Sequence, residues 1–332
     1  MTLPSTSALI DRFDAILSDL DGVVYAGPSA IPGAVEALSG LADRGVGLAY
    51  VTNKATRSPE QVAEHLRELG APATAEQIVT SPQAAARLLA ERLAPGSRVL
   101  ITGSTALAAE VSEAGLEPVW KATDEPQAVV QGFDPGLGWK DLAEASYAVA
   151  TGILWVATNT DLSIPQARGI APGNGTLVAA VQAATGVTPV VAGKPEVPLF
   201  HAAAARLSSS RPAVVGDRLD TDILGGNRAG FATIQVLTGV NTARDALNAL
   251  TLERPTHLIA ELGALYRPYP ETVRDDGVWR VGEASAVVEG DRVVVTAEED
   301  SLDGWRAACA AWWSAVPETE SATAPGLVWR TR

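Results

Sequence analysis

At 332 residues, 47% of them hydrophobic, the chain is long enough for two compact domains and a smaller appendage. Its 25 Lys and Arg stand against 39 Asp and Glu, and the net charge of −14 speaks against a nucleic-acid or anionic-membrane partner; a small anionic substrate then requires a local cluster of positive charge. The single cysteine, Cys309, excludes an internal disulfide and a cysteine-rich zinc site, and the first 14 residues lack the basic and apolar regions of an export signal, which predicts a soluble, cytoplasmic protein.

In chain order, strand and helix signals alternate over the first 80 residues: a strand at 15–18, a helix over 33–43, a strand at 46–51. The next helix is opened by Ser58 as N-cap, Pro59 at the first helical position and Gln61 completing a capping box, and Gly70 ends it. Ser81-Pro82 opens an Ala/Leu-rich helix to about residue 93, after which strands at 99–102, 128–131 and 153–157 and a helix over 176–184 form a new set. From Thr188 the first pattern resumes, with strands at 189–191, 213–215 and 233–237 and helices over 198–207 and 220–229. Such alternation implies right-handed βαβ units: an α/β fold with a Rossmann-like, doubly wound parallel-sheet core split by an inserted α/β domain.

The expected limits are 1–82 and 186–265 for the discontinuous core, 83–185 for the insert and 266–332 for a small β-then-α extension. Arg267-Pro268-Tyr269-Pro270 reads as a linker into that extension, followed by strands at 278–281, 285–288 and 292–296 and a helix over 302–315. Five of the eight tryptophans, Trp279, Trp305, Trp312, Trp313 and Trp329, lie there, which suits an oligomer interface or a module packed on the core.

Four segments carry the chemistry: Asp19-Leu20-Asp21-Gly22, Thr52-Asn53, Lys194-Pro195 and the run from Gly216 to Asp222. Each follows an apolar run that reads as a buried strand, so all four suit the carboxyl edge of a parallel sheet, where open α/β sheets bind ligands. Asp19 and Asp21, two apart on extended chain, share a face, so one can attack phosphorus while the other handles protons; alone, the same pattern fits a solvated turn. Asp217, with Asp220 and Asp222 beyond it, supplies the clustered carboxylates that hold Mg²⁺, whereas Asp220 reads as a helix N-cap. Lys194 offers a compact positive charge, and Thr52 and Asn53 a hydroxyl and an amide. Gly103-Ser104-Thr105 superficially suggests a phosphate loop but lacks the Gly-x-x-x-x-Gly-Lys spacing. His65, His201 and His257 show no metal-ligand spacing.

Taken with Thr158-Asn159-Thr160-Asp161 and Pro172-Gly173-Asn174-Gly175, and in this order, the segments resemble the haloacid dehalogenase (HAD) superfamily phosphatases. The resemblance is to the NagD-like branch, with its p-nitrophenylphosphatases and phosphoglycolate and glycerol-phosphate phosphatases, and runs from about residue 14 to residue 262. It implies that Asp19 is the nucleophile, forming an aspartyl-phosphate, and that Asp21 protonates the leaving oxygen and then activates water. It further implies that Thr52 and Lys194 hold phosphoryl oxygens and that the metal site comprises Asp19, Asp21 through its carbonyl, and Asp217, with Asp222 nearby. Asn53 is read as a substrate-binding amide, and Asn159 and Asp161 as facing the substrate, although a turn closed by Asx hydrogen bonds fits those two equally.

About 30 residues separate the first two motifs, too few for the helical cap of mutases and dehalogenases, so the insert takes the place of the large α/β cap. Such a cap favours small metabolite phosphomonoesters, glycerol 3-phosphate and 2-phosphoglycolate leading, and in the family often supports a homodimer. The rival expectation is a phosphometabolite-sensing protein on the same fold; the presence of both Asp19 and Asp21 counts against it, because a binder has no need of an acid/base carboxylate.

Overall fold

The computed structural model describes residues 7–53, 57–166, 168–321 and 324–331. Its first sheet has six strands in the order His257–Ile259, Ala232–Val236, Pro212–Gly216, Ala15–Ser18, Gly47–Thr52, Ile78–Thr80. Ala15–Ser18 pairs in parallel with Pro212–Gly216, Ala15 opposite Pro212, and the next two pairs on that flank are also parallel. Numbered along the chain, the order is 6-5-4-1-2-3, that of a doubly wound sheet. Its switch point falls between Ala15–Ser18 and Pro212–Gly216. Both strands are buried along their whole length, which is why they read as continuous apolar runs.

A second parallel sheet has five strands in the order Val190–Val191, Leu154–Ala157, Ala128–Gln131, Arg98–Thr102, Glu117–Val119. Val190–Val191, which the pattern assigns to the resumed core, hydrogen-bonds here: the strand is only two residues long, and neighbouring edges decide where so short a segment pairs. A hairpin of Ser163–Gln166 and Gly169–Pro172 was not legible, because its turn lacks the Asn-Gly or Asp-Gly signal.

Cα proximity divides the chain into two compact units, one of Met1–Ala49, Glu68–Pro72 and Arg206–Arg332, the other of Tyr50–Arg67 and Ala73–Ala205. Among the described residues no helix is long and apolar enough to cross a membrane.

The C-terminal extension forms a third sheet, Thr272–Asp275, Val278–Val281, Ala284–Glu289, Arg292–Thr296 and Gly326–Arg330, antiparallel except for the last pair. Its first and last strands were not expected. All four residues of Thr272–Asp275 are exposed and carry no alternating pattern, and Gly326–Arg330 joins the sheet from the far end of the extension. Helix Leu302–Ala315 buries Ala307, Ala308, Ala311 and Trp312 in one cluster with Ala243, Ala246, Leu247 and Leu258 of the first unit.

The expected linker is itself held in place. Arg267 O accepts from Leu9 N at 2.9 Å, and Tyr269 Oη accepts from Leu258 N at 3.0 Å. The helix expected over 220–229 is also different: it starts as a wide π turn, Leu219–Ile223, and continues as a single α turn, Leu224–Arg228. Gly226 explains its sequence, since a Cβ there would lie 2.6 Å from Thr233 and 3.0 Å from Val214, so only glycine lets this turn lie on the sheet.

Candidate active site

Asp19 and Asp217 leave the two strands that flank the switch point. Asp19 N–H donates to Val215 O at 2.8 Å, which carries the sheet ladder one residue beyond Ala15–Ser18. Asp217 and Asp222 are 2% and 1% exposed, and one carboxylate oxygen each from Asp19, Asp217 and Asp222 lies within 4.8 Å of the others. Three anionic groups this close, two of them buried, repel one another strongly unless a cation sits among them. Hard oxygen donors at this spacing suit Mg²⁺, whose octahedron water and substrate oxygens complete. Asp222, read from sequence as adjacent to the site, is a full member of the trio.

Two missing side chains make the cluster possible. A Cβ on Gly216 would fall 2.1 Å from Asp222 Cβ, and one on Gly22 would fall 2.3 Å from Asp217 Oδ2. Gly22 also has φ +76°, a left-handed conformation that glycine adopts without cost. The turn it closes leaves Asp21 exposed, with a bridge to Tyr25, beside the trio in sequence but outside it.

A further segment, residues 238–241, holds this arrangement and was not singled out from sequence. Val240 N donates to Asp217 Oδ2 at 2.7 Å and Asn241 N donates to Asp217 O at 3.1 Å. Asn241 Oδ1 accepts from Leu219 N at 2.9 Å, while the Thr238 hydroxyl donates to Gly22 O at 2.7 Å. The available signal was a Thr-Gly pair just after the apolar strand Ala232–Val236, the same strand-end placement that marks the other segments. Asp220 is not the N-cap expected of it: it takes a bidentate pair from Arg218 at 2.8 and 3.1 Å on the exposed side of the turn.

The second unit gathers the remaining residues. Thr52, 2% exposed, ends strand Gly47–Thr52, and Asn53 follows it; Lys194 is 5% exposed. Asn53 Oδ1 accepts from Lys194 N at 2.8 Å, and Asn53 Nδ2 donates to Lys194 O at 3.1 Å and to the Asp161 carboxylate at 3.2 and 3.3 Å. Asn53 O accepts from Asn159 Nδ2 and from Ser81 Oγ, each at 2.9 Å. Asn53, Asn159, Asp161 and Lys194 are therefore one hydrogen-bonded group.

Asn174, in the Pro172-Gly173-Asn174-Gly175 motif, is the first residue of helix Asn174–Thr185 and donates to Asn159 O at 2.8 Å. Ser104 caps helix Thr105–Glu113 through Leu107 N, as suits a segment discounted as a phosphate loop. The acidic trio, which contains no histidine, is the group of side chains found among the described residues that could hold a metal ion.

A doubly wound sheet with carboxylates clustered at its switch point suits metal-assisted chemistry on a bound ligand, and comparison with known proteins gives the class. A haloacid dehalogenase-like hydrolase model matches residues 16–117 and a HAD-hydrolase-like model matches residues 191–265. D-glycerol 3-phosphate phosphatase of Mycobacterium tuberculosis is 46% identical over 313 residues, 93% of this chain and 88% of that protein. A glycerol phosphate phosphatase of the same organism, solved with calcium, superposes with a TM-score of 0.89 at 44% identity, covering 97% of this chain and 94% of that one. With magnesium the values are 0.86, 43%, 98% and 95%. The p-nitrophenyl phosphatase from Archaeoglobus fulgidus gives 0.71 at 31% identity, covering 77% of this chain and 98% of that one. The chain belongs to the haloacid dehalogenase-like hydrolase family.

Proposed function

We propose that the chain is a Mg²⁺-dependent phosphatase that hydrolyses glycerol 3-phosphate through an aspartyl-phosphate on Asp19. The observation that carries this reading is the Asp19, Asp217 and Asp222 trio at the switch point. The choice of substrate rests on the 46% identity to the mycobacterial D-glycerol 3-phosphate phosphatase, with 2-phosphoglycolate as the competing ester. In this reading residues 1–82 and 186–265 carry the chemistry, and the insert 83–185 selects the leaving group.

Asp19, Asp217 and Asp222, with the Asp21 carbonyl, are the groups that would hold Mg²⁺. The ion supplies charge neutralisation for the carboxylates and the phosphoryl oxygens. An Asp19 carboxylate oxygen forms a bond to phosphorus as the bond to the glycerol oxygen breaks, and Asp21 gives its proton to that oxygen. Asp21 then takes a proton from water, whose oxygen attacks phosphorus as the bond from phosphorus to Asp19 breaks, releasing orthophosphate and restoring the Asp19 carboxylate and the protonated Asp21. Thr52 and the Lys194 ammonium hold phosphoryl oxygens, and residues 159–161 face the leaving group. Positioning and charge neutralisation provide most of the acceleration in phosphoryl transfer, so few residues suffice.

The test is orthophosphate release from glycerol 3-phosphate, 2-phosphoglycolate and p-nitrophenyl phosphate, with Mg²⁺ and with EDTA. Wild type is expected to need Mg²⁺ and to rank glycerol 3-phosphate first by kcat/KM. Asp19→Asn is expected to lose about 10³-fold or more in kcat, as removal of a nucleophile does elsewhere. Turnover that survives either EDTA or Asp19→Asn would overturn the mechanism, and a higher kcat/KM for 2-phosphoglycolate would overturn the substrate.

A further inference from the structure

An asparagine side chain has two amide hydrogens to donate and one carbonyl oxygen to accept. In Asn53 these groups are committed to protein. The carbonyl takes Lys194 N–H at 2.8 Å; the amide nitrogen serves Lys194 O at 3.1 Å and the carboxylate of Asp161, 108 residues away in sequence, at 3.2 and 3.3 Å. Reading both the N–H and the C=O of one residue is what a neighbouring strand does in a sheet, and it fixes the orientation of the peptide units on both sides of Lys194.

The sequence around it is built to allow this. A Cβ on Gly193 would lie 2.5 Å from Asn53 Oδ1 and 2.3 Å from Thr158 O, so only glycine lets the Lys194 segment approach so closely. The other end of the link is also tied down. Asn159 donates to Asn53 O at 2.9 Å and accepts from Asp161 N at 3.2 Å, and Asn174 holds Asn159 O at 2.8 Å.

We propose that Asn53 is a positioning residue: its carboxamide sets the Lys194 main chain, and hence the ammonium, in register with the 159–161 turn of the insert. It acts on the phosphoryl group through Lys194 and not by touching the substrate itself. A shift of that turn is passed to the lysine through one amide, which couples recognition of the leaving group to placement of the charge that assists its departure. This inference rests on the phosphatase reading above for its consequence in catalysis, and on the hydrogen bonds alone for its geometry.

The experiment compares Asn53→Ala, Asn53→Asp, Asp161→Asn and the double variant N53D/D161N with wild type, using p-nitrophenyl phosphate and Mg²⁺. Asn53→Ala is expected to lower kcat about tenfold or more with KM within about threefold, because misplacement of a catalytic charge acts mainly on the transition state. Half-saturating Mg²⁺ is expected to stay at the wild-type value. Asn53→Asp keeps the acceptor for Lys194 N–H but loses both donors and faces the Asp161 carboxylate, so it is expected to be the worst of the four. N53D/D161N restores a donor and acceptor between the two positions, and a recovery of about fivefold or more over N53D is the signature of direct coupling.

Wild-type kinetics in Asn53→Ala, a raised KM with kcat intact, or a double variant no better than N53D would each overturn the proposal. If wild type itself releases no phosphate, the phosphatase reading falls, and the geometry is read by hydrogen exchange at the Lys194 amide. Exchange about tenfold or more faster in Asn53→Ala then supports the link. Unchanged exchange overturns it.

Discussion

At the scale of residues, the carboxylate site depends on what glycines omit. Gly22 and Gly239 both lie against Asp217: a Cβ on either would fall 2.3 or 2.0 Å from Oδ2, the same oxygen that accepts from Val240 N. Gly22 combines this contact with a positive φ, so a substitution there mixes backbone strain with displacement of the carboxylate. Gly239 has no positive φ and isolates the second effect. Gly239→Ala is therefore expected to push Asp217 out of line with Asp19 and Asp222. Half-saturating Mg²⁺ should rise about tenfold, and kcat/KM should fall about 10²-fold, the usual consequence of misplacing a catalytic group by about an ångström. Magnesium titration of phosphate release checks it; a wild-type titration curve would show that the 238–241 segment does not set the carboxylate.

At the scale of elements, two titrating groups stitch peripheral segments to the six-stranded sheet. His257 starts the edge strand His257–Ile259, and its ring meets Phe13 and Tyr269 edge-on, at 5.9 and 4.7 Å between centroids. Burial, and then the Arg12 guanidinium, push the imidazole down to about 4, with a hydrogen bond to the Thr233 backbone acting the other way and the Arg306 guanidinium adding a smaller push down. The unfolded chain, with an ordinary histidine near 6.5, takes up this proton first. Stability is thus complete above about pH 6.5 and falls as pH drops towards 4, with a slope of at most about 1.4 kcal/mol per pH unit from this group.

Asp14, just before strand Ala15–Ser18, continues the same trend at lower pH. Burial alone would raise its carboxyl, but the Ser209 and Ser210 hydroxyls and the Arg211 and Ser210 amides outweigh that and hold it at about 2. A depressed carboxylate contributes stability above its unfolded value, about 3.9, which is lost as pH falls towards 2. Urea midpoints are expected to hold between pH 8 and about pH 6.5 and then to fall towards pH 4 for wild type, and to fall less for His257→Phe. Parallel pH profiles for the two proteins would show that the imidazole is not held neutral by the fold.

At the scale of the whole molecule, legibility followed burial and chemistry. The strands flanking the switch point were visible because both faces are covered, and the segments after them because the proposed roles of nucleophile, cation ligand and phosphate holder need particular residue types. Residues 238–241 were not singled out, since two main-chain N–H groups that any residue supplies hold Asp217, and the Thr238 and Asn241 side chains serve only the backbone of Gly22 and Leu219. The Asn53 link to Asp161 was hidden for another reason: its partners are 108 residues apart, and only folding brings them together.

The extension shows the same limit. Its tryptophans fitted an interface between copies as well as a packed module, and pattern alone does not separate the two. In the structure Trp312 is 9% exposed in a core shared with Ala243, Ala246 and Leu247, and Trp313 Nε1 donates to Leu247 O. The Arg306 guanidinium stacks on Tyr269 and donates to Leu258 O, while Arg254 donates to Val316 O and Pro317 O. Helix Ala243–Leu247 begins directly after the segment that holds Asp217, so the extension braces the element that follows the Asp217 carboxylate's hydrogen-bonded loop.

A module sharing a core in this way should not melt alone. Phosphatase activity and tryptophan fluorescence, which is weighted towards the extension, are expected to be lost in one coincident transition on heating. Trp312→Ala should lower that transition by removing about 3–5 kcal/mol of packing while keeping the two signals together. A fluorescence change that precedes loss of activity, or an active Trp312→Ala protein with only its fluorescence transition lowered, would make the extension an independent appendage.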